Sequence, residues 1–440
     1  TVTCLGTVIE PGDGTSTLGI NITNHDNVVI HNCTIQEYDG GVHIDKHSDY
    51  VNLTYNNISA ESLPIAANGN FSYIAHNNIT DEGWSSAIII EGNNVTIFAN
   101  NISWGPLIIS SVSSGNNITG NTLNPSTYID VDGSTNNLFS NNKFMNAGIQ
   151  LISSASSNTI IGNSLNLTDS TECVYVSADN NDIIGNNFLN CEAFLTGADN
   201  NRVMHNTMNS SGLASYSVYL GSSATNNTIY NNTANEYIRL SGADNNNITA
   251  NNITLASFDE GIYIDSDNNI VEANILTNAD LYIHTAEKNN VLKNNIVNTT
   301  LSTSKKIHDN SGSTVNNTVI YSNEFAEINW TSLDVTDATP VGLGLSINPT
   351  ISYNFVEGSF TGELSTNATI TFYGVNGLDP LVSVYRNDAL CNDLICSAVK
   401  TIDRIIDILL MTKNHILCLT LNLLFKKLFL FLFLIWDDDF

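Results

Sequence analysis

Residues 128–151 read YIDVDGSTNNLFSNNKFMNAGIQL. This stretch holds two short strands with alternating apolar residues, at 129–131 and 148–151, and two Asn pairs lie between them. The same order of strand and Asn pair recurs along most of the chain, with a mean spacing from Ile20 to Ile307 of about 22 residues. A repeat of this length predicts a solenoid in which each repeat forms one turn.

The composition of the repeat predicts an all-β fold. Short apolar runs with alternating polarity are separated by Asn, Gly, Ser and Asp, which is typical of short strands joined by tight turns. One turn alone cannot bury its apolar residues, but stacked turns enclose them in a continuous interior. We therefore expect a parallel β-helix of about 14 coils. Leucine-rich repeats share the period, but their Leu-rich signature is missing here.

The repeat also predicts which residues point inward. Strand alternation places Ile129 with Val131, Ile149 with Leu151, and Ile262 with Ile264 in the interior, stacked in two columns. Asn suits the corners because it tolerates left-handed backbone angles and its amide can bond to the Asn of the next turn. The apolar residue beside each Asn pair is expected to be buried as well: Ile35, Ile58, Ile79, Ile102, Leu123, Phe144, Leu165, Phe188, Met208, Ile253, Ile275, Ile296 and Phe325.

Changes in composition predict three segments. Residues 1–325 carry the β-helix with its N-terminal cap, and residues 326–396 carry longer strands separated by prolines, which predict a small β-rich domain. Residues 397–440 are rich in Leu, Ile and Phe and hold no Gly or Pro. We interpret this ill-defined hydrophobic tail as non-native sequence or as a membrane-associated segment. Lys426 and Lys427 interrupt its apolar run and oppose a membrane span.

The charge of the chain restricts its partners. A formal net charge of −29 makes nucleic acid a poor partner and leaves membrane contact only to the tail. The charge is compatible with an extracellular setting, and numerous N-x-Ser/Thr sequons, such as those at Asn57 and Asn252, are possible glycosylation sites. The chain begins at Thr1 rather than Met, which suggests a processed product or a fragment.

The cysteines fit an oxidising compartment. Cys4 and Cys33 flank the first coil and could staple the N-terminal cap, and Cys391 and Cys396 could close a small loop. Cys173 and Cys191 lie nearly one period apart, so they either stack as a bonded pair or are two small buried apolar residues, and the second interpretation is favoured.

The repeated Asn-Asn-x-Ile and Gly-Ile-x-Ile units over residues 15–325 resemble right-handed parallel β-helix proteins of the pectate-lyase-like superfamily, and within it NosD-like proteins. The Asn32-Cys33-Thr34-Ile35 stretch and the closing 370–374 stretch are similar to large archaeal surface proteins. This resemblance implies an exported or surface-displayed protein and specifies fold far more strongly than function. The Gly-His-Gly of polygalacturonase-like hydrolases and the Asp-Pro-His of alginate epimerases are absent from the sequence.

One outer face of the coils carries a series of aromatic residues. Alternation places one residue per turn on this face, in the order Tyr175, Leu195, Tyr219, Arg239, Tyr263 and Tyr282. Aromatic rings and a guanidinium suit sugar rings with hydroxyl or carboxylate groups, so these Tyr residues and Arg239 are candidate substrate-binding residues. The alternative is that Tyr simply favours exposed strand positions and stacks with itself.

A second outer position offers candidates for catalysis. Asp265 and His284 are expected to stack on adjacent turns beside Tyr263 and Tyr282. A carboxylate that orients an imidazole, with Arg239 nearby, could support proton abstraction from a uronic acid.

A third candidate set is a metal site. His43 and Asp45 lie on one face of a strand, and His47 joins them if the strand continues that far, so the three could hold zinc or another divalent metal. The alternative is that these three are ordinary solvated surface residues. The sequence itself requires no cofactor.

Taken as a sequence, the chain predicts an extracellular or cell-surface β-helix protein with a structural, adhesive or carbohydrate-binding role, whose partner is a polysaccharide or cell-surface glycan. The alternative is a polysaccharide lyase or epimerase that acts on uronic-acid polymers.

Overall fold

The computed structural model of the protein describes residues 1–4, 8–11, 17–125, 127–168, 172–210, 216–298, 307–309, 317–322, 326–331, 350–352, 355–359, 368–373, 381–386, 389–390, 399–402, 405–410, 417–422 and 429–435. These residues contain strands and turns and no helix. Among them, accordingly, no helical segment has the length and apolarity that a membrane span requires. Cys391, Cys396 and Phe325 lie outside the described residues.

The chain divides into two compact units, residues 1–238 and 239–440. The first unit is a parallel β-solenoid, and the second begins with turns of the same kind. The prediction of an all-β parallel solenoid is confirmed.

Each turn presents up to three strands, which we call the first, second and third faces in chain order. First-face strands are short and form one sheet. They comprise Val2–Thr3, Val29–His31, Asn52–Thr54, Tyr73–Ala75, Thr96–Phe98, Asn117–Thr119, Leu138–Ser140, Thr159–Ile161, Asp182–Ile184, Arg202–Met204 and Thr228–Tyr230 in the first unit, and Asn247–Thr249, Ile270–Glu272, Val291–Lys293 and Thr318–Ser322 in the second.

Second-face strands follow the Asn pairs. They comprise Val8–Ile9, Asn78–Asp81, Asn101–Ser103, Thr122–Leu123, Lys143–Met145, Ser164–Asn166, Asn187–Leu189, Thr207–Asn209 and Thr233–Ala234, and in the second unit Ile296–Asn298. Four longer strands run through the second face into the third: Thr34–Ile44, Asn57–Ala67, Asn252–Asp265 and Ile275–Ile283.

Third-face strands complete each turn. They comprise Leu18–Ile22, Ile88–Ile90, Leu107–Ile109, Ile129–Asp132, Ile149–Ile152, Glu172–Val176, Glu192–Leu195 and Val218–Leu220, then Ile238–Ser241 at the division between the units, and Ile307–Asp309.

Further strands of the second unit follow Ser322, and several of them pair antiparallel. They are Ala326–Thr331, Thr350–Ser352, Phe355–Ser359, Ala368–Tyr373, Leu381–Arg386, Ala389–Leu390, Val399–Ile402, Ile405–Leu410, Leu417–Asn422 and Phe429–Ile435. The boundaries near 325 and 396 stay predictions.

The interior consists of aligned apolar columns. The six predicted inward residues at 129, 131, 149, 151, 262 and 264 are all buried, and Ile129 pairs with Ile149 as Val131 pairs with Leu151. Aligned columns of this kind keep apolar area away from water in every turn. The predicted register of the third face is therefore confirmed.

Two anchors on the second face were placed wrongly. Ile275 and Ile296 are 41% and 49% exposed, whereas Leu276 and Val297 are buried. The pairing of Ile253 with Leu276 shows the reason, because the inward residue is the second one after the buried Asn of the corner, not the first apolar one.

Buried Asn residues form a ladder at the corner between the first and second faces. The backbone N–H of each one donates to the side-chain oxygen of the Asn one turn later, as from Asn100 to Asn121 at 2.8 Å and from Asn121 to Asn142 at 2.9 Å. Asn121 Nδ2 also donates to the Ile97 carbonyl at 2.8 Å and to Asn142 Oδ1 at 3.0 Å. The ladder thus satisfies main-chain groups that the turn would otherwise bury unpaired.

The left-handed backbone angle expected of these corner Asn residues belongs instead to the residue before each one. Tyr55 (φ 56°) precedes Asn56, and Gly120 (φ 65°) precedes Asn121. Other Asn residues, such as Asn136 and Asn141, do adopt that angle. Asn therefore has two separate roles in a turn, one as a hydrogen-bonding group and one as a residue that tolerates positive φ.

We expect Asn121→Ala to destabilise the protein by more than about 3 kcal/mol, because it leaves the buried Asn100 backbone N–H without its acceptor and removes the bonds that the Asn121 amide donates to the Ile97 carbonyl and to Asn142. The matched control is Asn101→Ala, which breaks an exposed ladder from Asn124 through Asn101 to Asn78 and should change stability by less than about 0.5 kcal/mol. Urea unfolding followed by circular dichroism measures both. Equal losses would contradict the role given to the buried ladder.

Candidate functional site

In the first unit, the outer column of the third face is set by the strand register. Pairing places Asp130, Gln150, Tyr175, Phe194 and Tyr219 on successive turns, and each side chain is half-buried. Their neighbours in sequence point inward, so these residues project from the solenoid. The residue of this column between Tyr175 and Tyr219 is Phe194. The sequence suggested Leu195, but Leu195 is buried in the interior.

The three aromatic rings of this column stack face to face. The ring centroids of Tyr175 and Phe194 are 5.7 Å apart with an interplanar angle of 12°, and those of Phe194 and Tyr219 are 4.6 Å apart at 10°. Nearly parallel rings at about the spacing of the turns cover one another's faces and leave mainly their edges to solvent. The column is therefore not a flat platform for sugars, and an open ring face remains only where the stack ends.

The stack ends at Tyr175, beside a pocket of about 330 Å³. The pocket lies where the second face turns into the third, and side chains from three successive turns surround it. Its lining residues are Thr127, Tyr128, Asn146, Ala147, Gly148, Ile149, Gln150, Leu167, Glu172 and Tyr175. It therefore combines two phenol rings, two amides and a carboxyl group, which are groups that bind sugar hydroxyls and ring faces.

The same corner carries two exposed tryptophans on earlier turns. Trp84 is 64% exposed and Trp104 is 41% exposed, and their ring centroids are 4.9 Å apart with planes tilted by 50°. Tilted rings leave part of each face open to solvent. Tyr128 follows on the next turn and is also exposed, so exposed aromatic residues occur on successive turns of this corner as far as the pocket.

Two glutamates share this part of the molecule. Strand pairing sets Glu172, which lines the pocket, beside Glu192, which is buried and whose Oε2 atom has no hydrogen-bond partner. Burial, aided by the adjacent Glu172 carboxylate, raises the pKa of Glu192 to about 7. Burial also raises the pKa of Glu172. Near neutral pH the pair therefore shares protons rather than holding two full charges.

In the second unit, a shorter stack carries the other predicted binding residues. Tyr263 and Tyr282 stack with centroids 4.9 Å apart at 13°, and the Arg239 guanidinium carbon lies 5.0 Å from the centre of the Tyr263 ring. The distance is within the range of a cation–π contact. Three of the five predicted binding residues thus meet here, and the remaining two, Tyr175 and Tyr219, lie on either side of Phe194 in the first unit.

The predicted pair Asp265 and His284 is brought together beside this stack. His284 Nδ1 lies 3.3 Å from Asp265 Oδ1, and the His284 ring centre lies 5.9 Å from Tyr263 and 6.4 Å from Tyr282. Glu287 lies close to both residues. Burial, followed by the neighbouring Asp267, raises the pKa of Glu287 to about 7.

The predicted metal ligands near the N-terminus have other partners. His43 Nδ1 lies 3.0 Å from Asn21 Oδ1. The Asp45 carboxylate accepts bonds from the Ser48 hydroxyl at 2.7 Å and the His47 backbone N–H at 3.0 Å, and the Ser48 bond in particular lowers its pKa. Asp45 thus closes a turn. Of the residues that the structure describes, only Asp265, His284 and Glu287 form a group of three such ligands within 4.8 Å.

The cysteines are paired in the first unit. Disulfides join Cys4 to Cys33 and Cys173 to Cys191. The second pair differs from the favoured interpretation of two separate buried residues, because strand pairing brings the ends of adjacent turns together.

Several site residues were not identified from the sequence. Trp84, Trp104, Glu172 and Glu287 lie in turns or at strand ends, where period-two alternation gives no information on side-chain direction. The one available clue was composition, since Trp84 and Trp104 are two of the four Trp residues of the chain and both follow second-face strands.

The buried carboxyl group makes stability depend on pH. Because the folded pKa of Glu192 is about 7 and its ordinary value is 4.5, its contribution to stability is fully present below about pH 4.5 and is lost as the pH rises through about 7. We expect Glu192→Gln to stabilise the protein above that range by on the order of 3 kcal/mol and to have little effect at about pH 4.

Thermal or urea unfolding across pH measures this effect, and the exposed Glu61→Gln is the control. A Glu192→Gln variant that keeps the pH dependence of the parent would contradict the assignment.

Comparisons with known proteins agree with this architecture. Residues 18–165 match the family described as right handed beta helix region. No curated protein sequence matches the chain.

Several solved structures match the chain at low identity. DFA-IIIase from Arthrobacter chlorophenolicus A6, without its lid, is 13% identical with a TM-score of 0.38, over 68% of this chain and 72% of that one. A tailspike protein mutant of E. coli bacteriophage HK620 in complex with a pentasaccharide is 11% identical with a TM-score of 0.37, over 88% and 72%. PfbA, a surface adhesin of Streptococcus pneumoniae, is 12% identical with a TM-score of 0.32, over 64% and 90%.

At these values the matches carry no inference about function. The repeated parallel turns and the inward columns lead to one conclusion: the chain folds as a parallel β-helix, of which residues 18–165 match the right handed beta helix family.

Proposed function

We propose that the first unit binds carbohydrate at the corner between its second and third faces. The observation that carries this proposal is the pocket of about 330 Å³, in which Tyr128, Gln150, Glu172 and Tyr175 converge. Ligand pockets usually combine an apolar or aromatic wall with a few placed polar groups, and this pocket has both. The exposed Trp84 and Trp104 extend aromatic surface along the same corner, which suits a polymer better than a single small ligand.

The charges around the pocket favour a neutral sugar. None of the described residues that line it is Lys, Arg or His. Glu172 is the acid among the described residues that line the pocket, so a uronate group would meet a carboxyl group without a compensating cation. A glycan of neutral hexoses, which offers hydroxyls to Glu172 and Gln150, avoids that repulsion.

The setting that fits this role is the cell exterior. The two disulfides of the first unit persist in oxidising environments, and the N-x-Ser/Thr sequons and acidic surface agree with export. We infer an exported or surface-displayed β-helix with a structural or adhesive role, whose partner is a polysaccharide or cell-surface glycan. We also propose that the protein is one of the NosD-like β-helix proteins, which its repeated Asn-Asn-x-Ile units resemble.

A second candidate function concerns the second unit. His284 lies 3.3 Å from Asp265 and beside Tyr263 and Tyr282. The Arg239 guanidinium lies over the Tyr263 ring, so a base, its orienting carboxylate and a cation are within one patch. A uronate bound by Arg239 could lose its C5 proton to His284, which is the first step of a polysaccharide lyase or epimerase.

For the binding function, we expect Tyr175→Ala to weaken binding of a neutral oligosaccharide about five- to tenfold, because it removes the ring face that ends the stack. Tyr219→Ala, whose ring lies at the other end of the stack, should have a smaller effect. The control is Tyr50→Ala, an exposed ring stacked on Phe71 at 5.0 Å outside this face.

A glycan array followed by calorimetry with the best ligand measures the three variants, and melting temperatures check that each folds. Binding that Tyr175→Ala leaves unchanged, or that Tyr50→Ala weakens equally, would exclude the pocket as the binding site.

For the second candidate, His284→Ala and Asp265→Asn should abolish turnover of a uronic-acid polymer and retain binding, because only the proton transfer is removed. Ultraviolet absorbance detects the unsaturated product of a lyase, and exchange of the C5 proton in deuterated water detects an epimerase. A parent protein inactive in both assays would leave carbohydrate binding as the only proposal.

A further inference from the structure

Three side chains of the second unit bring ligand atoms together at one corner. Asp265 ends a third-face strand, His284 follows the strand of the next turn, and Glu287 lies in the turn after it. One ligand atom from each lies within 4.8 Å of the other two. All three side chains are half-buried, so they are reachable from solvent.

The distance between the ligand atoms of His284 and Asp265 fits a tetrahedral zinc ion. Two ligands of a tetrahedral zinc ion, with bonds of about 2.0 Å, lie roughly 3.3 Å apart. His284 Nδ1 and Asp265 Oδ1 are 3.3 Å apart. These two atoms are therefore spaced as two ligands of one zinc ion, and a ligand atom of Glu287 lies within 4.8 Å of both.

The backbone holds the ligands in this arrangement. The His284 N–H donates to the Ile264 carbonyl at 2.8 Å, and the Asp265 carbonyl accepts from the Gly242 N–H at 2.7 Å. Both residues are therefore fixed by the ladder of the solenoid rather than by a free loop. Ligands already in place lower the entropy that must be lost when an ion binds.

The surrounding charge also favours a cation. Asp244 and Asp267 lie close by, with the Asp267 backbone N–H bonded to Asp244 at 2.8 Å. Of the cations that the structure describes near this group, Lys288 is held by Asp267 at 3.8 Å. Several carboxylates thus gather beside one lysine, one histidine and Arg239, which lies over the Tyr263 ring, and a divalent ion would reduce the repulsion among the carboxylates.

We propose that Asp265, His284 and Glu287 form a binding site for one zinc ion. An imidazole with two carboxylates suits zinc, whereas calcium and magnesium prefer oxygen ligands throughout. Three protein ligands leave the fourth position open to water or to a bound molecule. This site is independent of the proposed sugar pocket, which lies in the first unit, but it uses Asp265 and His284, so a bound ion would replace the free imidazole base of the second candidate function.

The experiment uses the full chain after treatment with a chelator and its removal, titrated with zinc chloride alone in a calorimeter. We expect one ion per chain, and we expect His284→Ala and Glu287→Gln each to weaken binding at least tenfold, on the scale of about 10- to 100-fold seen when metal-site support is lost. The matched control His205→Ala removes a histidine of the first unit that contacts Tyr230, and it should bind zinc as the parent does.

Each alternative result is decisive. A parent chain that binds no zinc overturns the proposal, and so does an equal loss in His205→Ala, which would indicate scattered surface binding. Tighter binding of calcium or magnesium than of zinc overturns the assignment of the ion. Circular dichroism of each variant guards against loss of fold, and anomalous X-ray scattering at the zinc edge gives the position of the ion independently of affinity.

Discussion

The buried Asn ladder is the interaction on which the rest of the structure depends. A solenoid turn must reverse its chain at a corner, and each corner would bury main-chain groups that no strand can pair. The amide of Asn121 donates to the Ile97 carbonyl of the turn before it and to Asn142 of the turn after it. One side chain therefore links three turns, and its position fixes the inward residue two places later.

Because the ladder fixes the register, equivalent residues of successive turns lie directly above one another. This alignment is favourable for apolar columns and for aromatic stacks such as that of Phe194 and Tyr219. The same alignment works against sugar binding within a stack, because stacked rings cover each other's faces. Ligand chemistry is therefore expected where a column begins, ends or leaves the strands, as at Tyr175 and at the corner of Trp84 and Trp104.

The sequence predicted the features that the repeat determines, namely the period of the turns and the direction of the strand side chains. The period and the inward positions of Ile129, Val131 and Ile264 follow from alternation that a buried strand requires. Alternation alone could not choose between Ile275 and Leu276, since both are apolar and only the distance from the buried Asn distinguishes them. Turn residues such as Trp84 escaped prediction because the connections differ in length from turn to turn.

Aligned turns also bring like charges together, and the protein resolves this in two different ways. Glu192 is buried beside Glu172, so water cannot screen the pair, and the raised pKa of Glu192 shows that a proton takes up part of the charge. Asp265 and Glu287 are half-buried instead. His284, three residues before Glu287 and one turn after Asp265, lies close to both. Partial exposure lets a solvated ion approach, and an imidazole adds a ligand that a carboxylate pair lacks. The pKa of Glu287 is also raised to about 7, by burial and by Asp267, so the imidazole and the partial exposure distinguish the second group from the first, not the protonation of its carboxyl group.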